Sequence, residues 1–371
     1  MSDQIARPDT NDFLNIFLND IPMIDTRAPI EFKKGAFPTS VSLPLMTDQE
    51  RAKVGTCYKK FGQDEAIKLG HQLVKGEVKE ERLNKWLQFT EENPQGYLYC
   101  WRGGLRSQTV QRWISEAGVD YPRITGGYKA MRTWILGEFE RQCRDMPKVV
   151  LAGKTGCNKT GLLNSLANSI DLEGLANHFG SAFGKRPDGQ PSQLDFENAL
   201  AVAMLKAEHS DAGKQGLRTV FEDESMLIGR CALPPVFRES LNHSPVVLLE
   251  TSLEERIEHS FNNYILSKLQ DWQAQVGEDD AFTRFSHDLV DSLQRVSKRL
   301  GGVRYKQLSE QLDSALQAHK NGDSEQHKSW ITALLVDYYD PMYEYQLQKK
   351  LDRVVFKGNR EEVSAFLAAM R

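Results

Sequence analysis

Two short stretches of this chain hold residue types whose spacing suits chemistry. The first is "CWRGGLRS", residues 100–107. Cys100 closes an apolar run (Tyr97, Leu98, Tyr99), Gly103 and Gly104 make a tight turn, and Ser107 opens an amphipathic stretch. A thiol at the end of a strand that turns directly into a helix faces backbone N–H groups and the positive end of a helix dipole. Both favour a thiolate and can hold an oxyanion. Arg102 and Arg106 add positive charge, and Arg106 lies six residues after the cysteine, a C-x5-R spacing. The bland alternative is a buried structural thiol. The Gly-Gly pair between two arginines favours the reactive one. The second stretch is "GKTGCNKT", residues 153–160. It fits the phosphate-loop pattern G-x-x-x-x-G-K-[ST] except that Asn158 replaces the second glycine. Gly153, Lys154, Thr155, Gly156, Lys159 and Thr160 are the candidate diphosphate-binding residues, with Lys159 on a terminal phosphate and Thr160 on a metal ion. Asparagine tolerates the left-handed backbone better than other side chains, so the loop can still close. Downstream, "VFEDES" (220–225) places Asp223 or Glu224 at an acidic strand end, near a metal or a substrate hydroxyl.

Strands and helices must position these groups. "IPMIDTR" (21–27), "GAFPTSVSLPL" (35–45), "GYLYC" (96–100) and "YPRITGGYKAM" (121–131) read as short strands and turns. They alternate with helical patterns at 64–76 and 108–118, the second ended by Gly118. Alternation of this kind builds a parallel α/β sheet. A boundary falls near Pro147. After it, "KVVLAG" runs through the Gly-rich turn into a helix carrying Leu162, Leu163 and Leu166. "RTVFEDES" (218–225) and "SPVVLLET" (244–251) are further buried strands, and Ser252 with Glu255 forms a capping box. From about residue 286 the pattern is helical and polar, until a last strand at "RVVFK" (353–357). "DLEGLANHFGSAFG" (171–184) is Gly-rich and aperiodic, a loop that either lines a site or lies on the surface. His178 in it reads equally as a hydrogen-bonding or an acid–base residue.

The 371 residues suffice for two cores. With 40% hydrophobic and 26% charged residues the composition is that of a soluble globular protein, and no apolar run approaches the length of a membrane span. The N-terminus lacks an apolar signal segment. Five cysteines without a C-x-x-C pair argue against a disulfide scaffold or a zinc knuckle and for a reducing compartment, the cytoplasm. The net charge of −4 gives no overall attraction to nucleic acid, so a polyanion must meet a local basic patch. The densest is "KRLGGVRYK" (298–306), with Lys298, Arg299, Arg304 and Lys306. Its default reading is a solvated helix end, its sharper one a set of phosphate contacts.

The N-terminal part resembles a rhodanese domain in "IDTRAPIEFKKGAFPTSVSLP", "YCWRGGLRS" and "ITGGYKAMR". With the stretches "DLEGLANHFGSAFG" and "YYDPMYEYQ" (338–346), nearly the whole chain resembles the bacterial tRNA 2-selenouridine synthases. The resemblance implies an α/β architecture in two domains. Residues 1–146 would form a rhodanese-like parallel-sheet domain with the cysteine loop. Residues 147–371 would form a P-loop NTPase-like α/β domain with a helical C-terminal part, binding tRNA and geranyl diphosphate. It implies a transferase that converts wobble 2-thiouridine of the tRNA anticodon arm to 2-selenouridine through S-geranyl-2-thiouridine. The substrates would be geranyl diphosphate and selenophosphate, with no tightly bound cofactor and magnesium compatible with the loop. Cys100 maps onto the family's essential cysteine. On this reading the selenophosphate oxyanion would sit on Arg102, Gly103, Gly104, Arg106 and Ser107, and the diphosphate on the 153–160 loop. A cytoplasmic monomer, supplied by a selenophosphate-making enzyme, is expected. Two rival readings follow from the same residues. C-x5-R is also the phosphatase spacing, which makes a phosphatase–kinase fusion conceivable, although Tyr99 stands where a phosphatase loop has His and no leaving-group acid is evident. The other rival is a non-catalytic sulfur-carrier or tRNA-binding protein.

Overall fold

The structure, a computed structural model, describes residues 7–102 and 104–371, so the expected loop residue Gly103 lies outside the described residues. The chain parts into two compact units. One runs to Gln142 and takes in Ser192–Lys206; the other comprises Cys143–Pro191 and Ala207–Arg371. To the division expected at residue 147 the structure thus adds a later segment that belongs with the first unit. The reason is polar as well as apolar. Asn198, fully buried, donates to the carbonyl of Ala36 and the hydroxyl of Tyr128, and Asp195 accepts the N–H of Ala36. Gly35 is needed there, because a Cβ would lie 2.4 Å from that of Leu194.

The first unit is built on three short strands, β1 (Met23–Asp25), β2 (Ser40–Ser42) and β3 (Tyr97–Tyr99), all parallel in the order β2-β1-β3. Ile24 and Leu98 are fully buried against Val110, Trp113 and Ile114 of the helix Leu105–Glu116 and Trp86 and Phe89 of the helix Glu77–Glu92. The helix Leu105–Glu116 starts three residues before the 108–118 pattern suggests. The expected strand at 121–131 is reduced to single bridges at Arg123 and Ile124 before the helix Gly127–Asp145 begins.

The second unit carries a five-stranded sheet. Its strands are β4 (Lys148–Gly153), β5 (Ser169–Ile170), β6 (Thr219–Glu222), β9 (Val246–Leu249) and β10 (Val354–Gly358); a separate hairpin holds β7 (Leu227–Ile228) and β8 (Cys231–Ala232). The large sheet is parallel, in the order β10-β9-β4-β6-β5. β4 and β6 are buried along their whole length, as continuous apolar parallel strands require. The chain leaves β4 toward one side of the sheet and later crosses to β9 on the other. Ligands of open α/β sheets bind beyond the carboxyl ends of strands at such a reversal. The polar C-terminal part is helical, with Phe285, Leu289 and Leu293 of the helix Glu278–Leu300 packed on Leu312, Trp330 and Leu334.

Candidate active site

In the first unit, Cys100 directly follows β3 and is 3% exposed. Its Sγ lies 3.2 Å from the hydroxyl of Ser107, which is fully buried and donates to the carbonyl of Gly104 at 3.1 Å. Gly104 is the N-cap of the twelve-residue helix Leu105–Glu116. The thiol therefore sits beside a helix N-terminus, where the dipole favours negative charge. Arg106, expected on the bound oxyanion, is committed elsewhere: its guanidinium grips both oxygens of Glu31 at 2.5 and 3.3 Å. Burial pushes the Glu31 carboxyl up, but Arg106, the Ala28 N–H and Arg51 outweigh it and hold the group below its ordinary value. Arg102 is exposed. Trp101, 43% exposed, stacks on Tyr128 with ring centroids 5.4 Å apart. The Arg27 guanidinium lies 4.0 Å from the centroid of the Tyr128 ring.

In the second unit, β4 ends in the 153–158 turn and the helix Lys159–Leu163. Asn158 takes the left-handed backbone (φ 58°, ψ 47°) that the missing glycine would otherwise supply, and its Oδ1 accepts the N–H of Gly161. Asparagine here satisfies the turn and caps the helix with one side chain. Gly156 also has positive φ, and a Cβ on it would meet the Arg256 carbonyl at 2.8 Å and Ser260 Oγ at 2.7 Å. Lys159 Nζ folds back to donate to the Gly153 carbonyl at 3.1 Å. Burial works against its charge, yet Cys157, Glu173, Glu224 and Glu222 more than compensate and keep the ammonium firmly protonated. Thr160 donates toward Glu173 (3.1 Å) and Glu222 (3.0 Å). Burial, reinforced by Glu173 and Asp171, pushes Glu222 up to about 8; Glu173 and Glu224 are raised by the same cause. The loop ends as a cation and a hydroxyl set against carboxylates short of positive partners.

Two expected residues have other uses. Lys154 turns its ammonium to Asp340 (3.2 Å) and Glu344 (3.0 Å), so only its backbone remains for a diphosphate. Asp223 pairs with Lys350. The basic run 298–306 does not act as one patch. Arg299 lines the cleft described below, Arg304 donates to the Asp337 carbonyl, Lys306 lies 3.9 Å from Glu310, and Lys298 is exposed.

The loop opens into a cleft of about 1820 Å³ within the second unit, lined by the 178–190 segment, the end of β6 and the "YYDPMYEYQ" stretch. Two π-helical segments, Asn262–Ser267 and Leu335–Tyr339, present Tyr264, Tyr338 and Tyr339 to it; such segments are common at functional sites. Asp340 fastens this wall to the loop. It takes both terminal nitrogens of Arg256 (3.0 and 2.5 Å), and Arg256 Nε donates to the Thr155 carbonyl at 2.9 Å. Arg256 is 3% exposed, so Asp340→Ala strands a buried cation. Its expected cost is about 3–5 kcal/mol in chemical denaturation; a loss below about 1 kcal/mol would show that the pair does not secure the loop.

The family profile described as the tRNA 2-selenouridine synthase AAA domain matches residues 146–371, the whole of this loop and cleft. The chain belongs to the tRNA 2-selenouridine synthase family, a family of enzymes. A relative from Hahella chejuensis is 55% identical over 97% of this chain and 94% of its own length. One from Alcanivorax borkumensis is 49% identical (97% and 99%), and one from Pseudomonas syringae pv. syringae 50% (96% and 97%). All three are named tRNA 2-selenouridine synthase. A solved N-terminal domain of a Clostridium difficile protein described as ATP/GTP binding is 31% identical over 31% of this chain and 88% of its own, with a TM-score of 0.27 that establishes no shared fold.

Within this synthase family member, sequence reasoning overlooked Glu222, Glu173, Arg256 and Asp340. Glu222 had a readable signal. Side chains alternate along a strand, so of the three consecutive acids at 222–224 only alternate ones share a face, and the first closes the buried strand. Glu173 lay within a stretch already singled out. Arg256 and Asp340, 84 residues apart, carry no signal of their pairing. Among the described residues no helix is long and apolar enough to cross a membrane.

Proposed function

We propose that this chain converts 2-thiouridine at the wobble position of tRNA to 2-selenouridine by way of S-geranyl-2-thiouridine, using geranyl diphosphate and then selenophosphate. The observation that carries the reading is the phosphate loop, with Lys159 and Thr160 lining a cleft much larger than a diphosphate needs and walled by tyrosines on one side. In the first step the thiocarbonyl sulfur attacks the allylic carbon of geranyl diphosphate. The C–O bond breaks, diphosphate leaves with the electron pair, and the N3 proton is lost from the base. Lys159, with the backbone N–H groups of the loop, stabilises the charge that builds on the departing diphosphate. Where the loop takes magnesium, Thr160 and Glu222 would hold it. Hard oxygens 3.0 Å apart beside under-compensated carboxylates suit that ion, which keeps several waters and supplies charge neutralisation to the diphosphate. Among the described residues no three His, Cys, Asp or Glu side chains converge as a metal-binding group, so waters and phosphate oxygens would complete the shell.

In the second step the selenium of selenophosphate attacks the ring carbon and the geranylated sulfur leaves as a thiolate; water then cleaves the P–Se bond, releasing phosphate and leaving the 2-selenouridine. Alkylation is what makes this sulfur a leaving group. Cys100, in a rhodanese-like unit beside a helix N-terminus, positions the selenophosphate for this attack, with no selenium–sulfur bond formed. Because Arg106 is held by Glu31, the oxyanion there rests on backbone N–H groups and Ser107 more than on a guanidinium. That arrangement also weighs against a phosphatase. Incubating 2-thiouridine-containing tRNA with the full chain, geranyl diphosphate and selenophosphate, followed by nucleoside mass analysis, tests the whole reading. Neither modified nucleoside appearing would sink it.

Arg299 is the member of the basic run that faces the cleft. Arg299→Ala is expected to weaken tRNA binding and to flatten its salt dependence by roughly 0.7–0.9 in the log–log slope, one phosphate contact. Turnover at saturating tRNA should hold. Equal slopes for variant and wild type would place the tRNA on other cations.

A further inference from the structure

His178 and Arg186 stand out in the cleft wall because each buries a polar atom with nothing to bond. His178 is 7% exposed, and its Nδ1 has no hydrogen-bond partner; nor does the buried Nε of Arg186. Both line the cleft. A buried polar atom left unpaired costs free energy and calls for an explanation such as an absent ligand. The surroundings hold both side chains in place. His178 donates its backbone N–H to the Glu173 carbonyl, and the Arg186 guanidinium carbon lies over Phe179, 4.2 Å from the ring centroid. Gly229 closes on the imidazole so tightly that a Cβ there would lie 2.7 Å from His178 Cδ2. Arg295 shares the wall, anchored by donation to the Ala182 carbonyl and the Ser292 hydroxyl.

We propose that His178, Arg186 and Arg295 form a subsite for one ribonucleotide of the RNA substrate, the two arginines taking a phosphodiester and His178 the adjacent 2′-hydroxyl. This rests on the reading of the substrate as tRNA. Arg186 Nε–H is a donor without an acceptor, and a phosphate oxygen is the acceptor that a guanidinium fits best. The imidazole has a different need. Burial, together with Lys268, Arg295 and Arg186, pushes it down to about 4, which keeps it neutral at physiological pH. A neutral ring offers one acceptor and one donor. A phosphate offers no proton to the acceptor, whereas a hydroxyl serves either nitrogen. The 2′-hydroxyl is the group by which a protein tells RNA from DNA.

A double-mutant cycle with the full-length protein tests this. An anticodon stem-loop RNA and a set of its copies, each with one 2′-deoxynucleotide, are titrated against wild type and His178→Phe. At one position the deoxy substitution should weaken binding to wild type by roughly 5–150-fold, the range for an unpaired buried partner. His178→Phe should show a loss of the same size with the intact RNA and no further loss with that deoxy copy. Arg186→Gln, which keeps His178, should lower the salt slope by roughly 0.7–0.9 while keeping the penalty at that position. Additive losses at every position, or no sensitive position in wild type, would overturn the subsite while leaving tRNA as substrate. A wild type that does not bind the intact RNA would overturn the tRNA reading itself.

Discussion

Cys100→Ser is expected to abolish selenium incorporation and to leave geranylation largely intact, so that S-geranyl-2-thiouridine accumulates in the tRNA. The substitution is gentle on the fold. A serine hydroxyl can keep the polar contacts to Ser107 and the Gly104 carbonyl that surround the buried thiol. It is severe on the chemistry, because an alcohol beside a helix N-terminus is almost never ionised near neutral pH, whereas a thiol there can be. The proposed diphosphate loop belongs to the other compact unit, which is why the first step should survive. Nucleoside analysis of tRNA from cells making the variant reads both products at once. Should both disappear while the variant keeps its circular dichroism spectrum and melting transition, the division of labour between the cysteine loop and the phosphate loop is wrong.

Lys159→Ala is expected to slow geranylation on the order of 10²-fold or more, the scale set by removing one donor to developing oxyanion charge. The ammonium is the cation set among Glu173, Glu222 and Glu224 at the loop. Its removal takes a positive charge from the leaving group and the cation from among these three acids, which burial already pushes toward their protonated forms. Some stability will be lost as well, for the same reason, so the rate must be compared at a temperature well below the variant's melting transition. Lys159→Arg serves as the control that keeps the charge. Selenation of tRNA supplied already geranylated should proceed with Lys159→Ala near the wild-type rate, since no diphosphate departs in that step. An unchanged geranylation rate would move the diphosphate site away from this loop.

The local sequence determined the elements and the two loops to which the chemistry is proposed to belong. β3 at Tyr97–Tyr99, β4 before the phosphate loop, the Ser252–Glu255 capping box and the left-handed Asn158 were all legible, because each depends on neighbours within a few residues. Hydrophobic period, turn chemistry and capping are short-range properties, and the sequence displays them directly. What each charged side chain does was not legible. Arg106 reads as an oxyanion ligand and is held by Glu31, 75 residues away; Lys154 reads as a phosphate ligand and answers to Asp340, 186 residues on. Asp223 looks like the acid at the strand end, but the alternation of a buried strand gives Thr160 to Glu222 instead. The basic run 298–306 is dense along the chain, yet only Arg299 of it reaches the cleft, because a helix end and a glycine turn it in several directions. The same holds for Ser192–Lys206, placed in the first unit by Asn198 and Asp195, hydrogen-bonded to a backbone more than 150 residues earlier. A charge in a sequence has no direction. Only the packed structure, by deciding which groups leave water together, assigns each one its partner and so leaves His178, Arg186 and Lys159 facing the cleft.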